Sequence, residues 1–281
     1  MTRILLRGGY VHTPADPHAT AVAVEDGQIV WTGDDDAADH FRDDATRVVE
    51  LEGRLVTPAF VDSHVHLAQT GFNAASVDLS AARSAEEALD LLSASPQDLV
   101  LGHGWDETRW VGHRIFTGEE LARATGGRPA YVTRVDMHSA VVTGVGGFSG
   151  RVERDDHHAV RAALAGSTTR AARTEAIRAA LTAAASHGIG MVHEISAPHI
   201  NPADDLTIIR ELEGVLPDVV PYWGALDVPS ALELGVAGAA GDLCIDGAIG
   251  SRTAALHEAY TDDVEGNGHL YLTHDQVAEH V

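Results

Sequence analysis

From Phe60 onward, short apolar runs alternate with stretches that carry helix-start signals, and no other feature restricts the fold as much. Strand-like runs fall at Phe60–Val65, Leu99–Gly102, Ala130–Arg134, Ile189–Ile195, Val219–Trp223 and Leu243–Ile245. Between them, Ser84-x-x-Glu87 and Thr117-x-x-Glu120 have the spacing of capping boxes, in which side chains satisfy orphan N–H groups. The Ala- and Arg-rich run Arg170–His187 stops at Gly188, while Asn201-Pro202 and Asp227-x-x-Ser230 can each open a further helix. Such alternation predicts an α/β architecture around a parallel sheet, open or closed.

Residues 1–57 have a different texture. Ile4–Tyr10, Ala21–Glu25, Gln28–Gly33 and Arg47–Glu50 read as short strands, with a hairpin signal at Asp26-Gly27. Asp34-Asp35-Asp36 reads as a solvated loop. The chain therefore divides into a small β unit, 1–57, and an α/β unit, 58–281.

Charge narrows the function. Acidic residues number 42 against 19 basic ones, giving −23, and every basic residue is Arg. A surface without Lys and so acidic argues against nucleic acid and anionic membranes as partners, because phosphate contacts need clustered cations. It fits a halophilic protein, whose self-repulsion molar salt screens. Cys244 is the lone cysteine, which excludes an intrachain disulfide framework and suits a reducing interior. The N-terminus lacks the apolar core of a signal peptide, and no run approaches ~20 apolar residues, so the expectation is a cytoplasmic protein.

The stretch TPAFVDSHVHL (57–67) carries the first chemical signal. Side chains on a strand alternate, so Asp62, His64 and His66 share one face. Two imidazoles at the C-terminal end of a strand that follows a β unit can grip one metal ion, at the place where α/β barrels put their sites. With 17 histidines in the chain, a coincidental pair is the competing reading.

The run LEGRLVTPAFVDSHVHL (51–67) resembles the barrel-opening segment of the amidohydrolase superfamily, V-x-P-G-F-[IV]-D-x-H-x-H, with Ala59 in place of the glycine. GHGWDETRW (102–110), RVDMHSAVV (134–142), GIGMVHEIS (188–196), IDGAIGSRTAAL (245–256), Tyr260 and Gly268 extend the likeness to the amidohydrolase-3 branch, which includes N-substituted formamide deformylase-like enzymes. The resemblance implies a small β-sandwich part (1–57) beside a TIM-like (β/α)8 barrel. The barrel would hydrolyse a non-peptide C–N bond of a small-molecule substrate through water activated by a divalent metal, zinc above all. Such a metal brings the pKa of bound water towards ~7 and polarises the carbonyl, while a carboxylate moves the proton. A mononuclear deaminase of the same superfamily is a further reading.

Departures from the pattern matter as much. The position of the family's middle-strand Lys, four residues before Asp-Gly, holds Asp242. A lysine carbamate cannot form, and Asp242 is too short to reach the same point unless the backbone moves. Glu194 is a second candidate to complete the site of His64 and His66, or else a rim carboxylate. The later histidine motifs, the last-strand proton-shuttle Asp and the closing strands have no counterpart after Gly268. An incomplete barrel lacking its C-terminal part is thus expected, and a catalytically inactive truncated protein is the alternative. Its unpaired sheet edges predict self-association, a homo-oligomer at the simplest. Trp105, Asp136, His138, Asp246 and Arg252 are candidates for the substrate cleft. Each has a structural alternative: packing for Trp105, pairing with each other or with the backbone for Asp136 and His138, and an ion pair for Asp246 with Arg252.

Overall fold

The computed structural model describes residues 2–281 apart from 213, 215, 216, 264 and 265. Two compact units separate at residue 60, Met1–Phe60 and Val61–Val281. In the first, Ala21–Glu25 pairs antiparallel with Gln28–Gly33, and Arg3–Arg7 joins Ala21–Glu25 to a parallel neighbour, Arg47–Glu50. The hairpin turns on Asp26 and Gly27, with φ of 46° and 82°, the pair of left-handed residues that a type I′ turn demands. Asp34–Asp36 is not a simple loop. Asp34 accepts the Ala37 N–H at 2.8 Å and caps a one-turn helix, Asp35–Ala38, because a carboxylate there satisfies an N–H that water would otherwise hold.

The second unit is a mixed α/β fold built on two separate sheets. One has five strands in the spatial order Phe148–Glu153, Ser139–Val145, Ala130–Arg134, Val100–Trp105, Val77–Asp78. The other places Ile189–Ser196 between Asp218–Trp223 and Phe60–Val65. Among the described residues no closed barrel is present. One reason is local: Leu243–Ile245, expected as a strand, forms none, its ladder-like contact being the Tyr271 N–H on the Ile245 carbonyl at 2.7 Å. Another is the antiparallel hairpin Ser139–Glu153, which turns at Gly146-Gly147 (φ 59° and 83°) and ends the parallel run. Asp136 and His138 accordingly lie in the connection before it rather than on a strand.

Caps follow the sequence. Thr117 and Glu120 complete a capping box, Ser84 accepts from Glu87, and Asp227 accepts from Ser230 with Pro229 in the first turn. Helix Leu67–Ala74 packs on helix Arg170–Ser186 through Gly71, where an added Cβ would lie less than 3.0 Å from the Ala176 backbone. Gly71→Ala is therefore expected to push the helices apart and to lower stability by about 1–3 kcal/mol in urea denaturation. An unchanged midpoint would contradict that close approach.

Candidate metal centre

Strand Phe60–Val65 delivers His64 and His66 to one point, and the loop after Gly241 delivers Asp242 to the same point. His64 Nε2 lies 3.3 Å from Asp242 Oδ1, and His66 Nε2 lies 3.0 Å from Asp242 Oδ2. One donor atom from each of the three residues falls within 4.8 Å of the others. The approach comes from the backbone. Gly224 faces this loop so closely that a Cβ on it would sit 2.8 Å from the Asp242 carbonyl. The close backbone approach thereby brings the short Asp242 side chain to both imidazoles.

Each ligand is held from behind. His66 Nδ1 faces the Ile195 carbonyl at 2.7 Å, so that nitrogen carries a proton and the ring turns Nε2 towards Asp242. The His64 backbone N–H donates to Asp62 at 3.1 Å. Partial burial raises the Asp242 carboxyl, but the His66 hydrogen bond and the charges of His66, His64 and His199 outweigh it and hold it below the usual carboxylate range. Two imidazoles and one ionised carboxylate are a donor set that divalent zinc accepts, and three ligands leave a position open. The residues fit the metal.

Glu194 is not in this cluster. Its Oε2 accepts the Leu67 N–H at 2.7 Å and its Oε1 accepts the Ser196 hydroxyl at 2.8 Å. Burial pushes its carboxyl up, against those two hydrogen bonds. It caps helix Leu67–Ala74 in trans, directly behind His66.

The cleft candidates separate. Trp105 is fully buried in the apolar core, its indole N–H on the Val132 carbonyl at 3.0 Å. Asp136 joins a buried ionic cluster in which Arg134 holds Glu107 (2.9 Å), Asp136 (2.8 Å) and Asp106 (3.3 Å). The block GSRTA is fastened to that cluster: the Ser251 hydroxyl donates to Asp136 at 2.7 Å and Arg252 lies 3.5 Å from Glu107. An added Cβ at Gly250 would lie 2.6 Å from Arg134, so the loop needs glycine there. Asp246 and Arg252 do not pair as expected. Asp246 accepts the Ala255 N–H at 3.0 Å, while Arg252 takes Asp262. The His138 backbone N–H donates to Asp136 at 3.1 Å.

These details coincide with a match along the chain. A model of the amidohydrolase family matches residues 47–281, which include the strand, the loop and all three converging ligands. The chain belongs to the amidohydrolase family. Within it, the amidohydrolase-3 branch is the one matched. YtcJ of Bacillus subtilis (strain 168) is 25% identical over 95% of this amidohydrolase and 58% of its own length. A metal-dependent hydrolase from Pyrococcus furiosus superposes with a TM-score of 0.70 at 25% identity, covering 99% of this chain and 64% of that one. One from Pyrococcus horikoshii OT3 shares the fold, with a TM-score of 0.74, 23% identity, and 99% and 62% coverage. The amidohydrolase chain thus spans about three-fifths of the length of these relatives. No helix of the described residues is long and apolar enough to cross a membrane.

A group of basic residues beside the centre was not visible in the sequence. His199 Nε2 meets Cys244 Sγ at 3.1 Å and its ring lies 5.2 Å from that of His158. Burial first, then the charges of His158 and Arg161, lowers His199 to about 4. His157, hydrogen-bonded to the Tyr131 hydroxyl at 2.8 Å, is lowered by burial to about 3. It is neutral in the folded chain and takes up a proton more readily once unfolded. Stability from this group is present in full above pH ~6.5 and is lost as pH falls towards 3, by about 1.4 kcal/mol per pH unit. Urea denaturation between pH 7 and 4 should show a flatter profile for His157→Gln. Parallel profiles would remove His157 from the account.

Proposed function

We propose that this amidohydrolase is a metal-dependent hydrolase of a non-peptide C–N bond in a small molecule, with zinc held by His64, His66 and Asp242. The observation that carries the reading is the convergence of those three side chains within 4.8 Å, on residues that the family match includes. A zinc ion bound there supplies a Lewis acid that polarises a carbonyl oxygen and activates water. The protein's part is orientation: the Ile195 carbonyl fixes the His66 ring, and Glu194 fixes the start of the helix that follows it. Asp242, ionised by its two histidine neighbours, is matched in charge to a cation. The two sheets of the second unit are proposed as parts of a (β/α)8 barrel, a reading supported by the TM-scores of 0.70 and 0.74.

The test is metal analysis joined to turnover. Purified chain dialysed against zinc should retain one equivalent and release amine from N-acyl and N-formyl amines, with both properties lost in His64→Ala/His66→Ala. Failure to retain metal with all three ligands intact would overturn the reading. Among the described residues no carboxylate besides Asp242 joins the cluster to serve as a base, which favours a second one, a non-catalytic metal-binding protein. Zinc retained without turnover decides for it.

A further inference from the structure

A cavity of about 100 Å³, with room for several waters, adjoins the proposed centre and has His66 in its wall. Most of the lining is apolar, with Phe72, Leu101, Tyr131 and Leu164 prominent. Four charged groups besides His66 also line it, Arg161, Arg173, Glu194 and Asp205. Three of these are spoken for. Glu194 accepts from Leu67 and Ser196, and Arg173 pairs with Asp205 at 2.8 Å and Asp204 at 3.1 Å. Arg161 has no ion pair or side-chain hydrogen bond among the described residues.

That is unexpected electrostatics for this chain. With a net charge of −23, carboxylates outnumber guanidinium groups by more than two to one, yet none neutralises a half-buried Arg in a cavity wall. Helix Arg154–Ser167 puts His157 and His158 four and three residues before Arg161, on the same side. After burial, the positive charge of Arg161 is the next influence holding both histidines down. Arg161 is thus a positive group without a partner among the described residues, at the edge of an apolar pocket. A guanidinium in such a place has its planar donor fork free, the geometry that matches a carboxylate.

We propose that Arg161 is the anion-recognition residue of a substrate subsite. The cavity takes an organic carboxylate with a short apolar body, its carboxylate on the guanidinium and its other end towards His66. The substrates of the centre would then be amides that also carry a carboxylate. This step rests on the hydrolase reading only in assigning the carboxylate to a substrate.

The test avoids turnover. Chelator-treated chain, from which metal coordination of the ligand is removed, is titrated calorimetrically with propanoate and with the neutral propanamide. The acid should bind at least tenfold more tightly than the amide. Arg161→Met and Arg161→Gln should bring the two within about twofold, whereas Arg161→Lys should keep part of the preference. Arg161 makes no bond that the fold needs, so both neutral variants should melt like the parent, and either suffices. Equal binding of acid and amide, no binding of the acid, or a preference unchanged in the neutral variants overturns the subsite. A separate zinc titration keeps the two readings apart: zinc retained without acid preference removes the subsite alone, and acid preference without zinc removes the hydrolase alone.

Discussion

His66→Ala should weaken zinc binding by on the order of 100-fold or more. The variant loses one of three converging ligands, and disturbing even the partners behind metal-ligating histidines commonly costs 10–100-fold. The imidazole of His66 also ties two segments together, since Nδ1 meets the Ile195 carbonyl at 2.7 Å while Nε2 meets Asp242 at 3.0 Å. Competition with a chromophoric chelator measures the affinity directly. A second readout is thermal: zinc at 100 times its dissociation constant adds ~2.7 kcal/mol, which raises Tm by roughly 5–10 °C in the parent. The variant should show almost no shift. Glu194→Gln should lose less than about tenfold, because its oxygens face Leu67 and Ser196 rather than the ion. If His66→Ala keeps the parent's affinity, the centre is not where the geometry puts it.

Arg134→Met is expected to be the most destabilising single change outside the apolar core, by about 3–5 kcal/mol. Arg134 and Glu107 are both almost completely buried, and Arg134 binds three carboxylates. Removing it strands Glu107 in a poorly solvating environment, with only the 3.5 Å approach of Arg252 to compensate. Arg252→Met should lose far less, since its stronger partner, Asp262, is exposed to water that screens the pair. The double variant Arg134→Met/Glu107→Leu should recover part of the deficit, because the most buried of the three carboxylates leaves with its partner. Urea denaturation of the parent, Arg134→Met, Glu107→Leu and the double variant measures the cycle. A loss below about 1 kcal/mol in Arg134→Met would mean that water or a neighbouring cation takes its place.

How much of this was readable in advance depended on the range of the interactions. The His64-x-His66 pair, the caps at Thr117, Ser84 and Asp227 and the Asp26-Gly27 hairpin were legible, since each is fixed within a few residues. Asp242 was legible as a position but not as a reach, because its placement depends on how closely the backbone passes Gly224, a tertiary fact. Trp105, offered both to the cleft and to packing, packs in the core, where its one polar atom is already used on Val132. Helix Arg154–Ser167 left no signal: its first residue follows Glu153, which makes no side-chain cap, and its exposed face is polar. Arg161 went unseen with it. Leu243–Ile245 misled because an apolar run makes a strand only when a neighbouring backbone is there to bond it.

The three side chains of the proposed centre come from two distant segments, with 176 positions separating His66 from Asp242. If a contact of such high sequence separation forms after the folding transition state, the site is assembled only in the native chain. An ion that needs all three therefore finds no binding place in the early collapsed chain or in the folding transition state. It adds to the barrier for leaving the native state without hastening arrival there. Zinc bound at the proposed centre should slow unfolding in urea and leave the refolding limb unmoved, which would make it a latch on the lifetime of the fold.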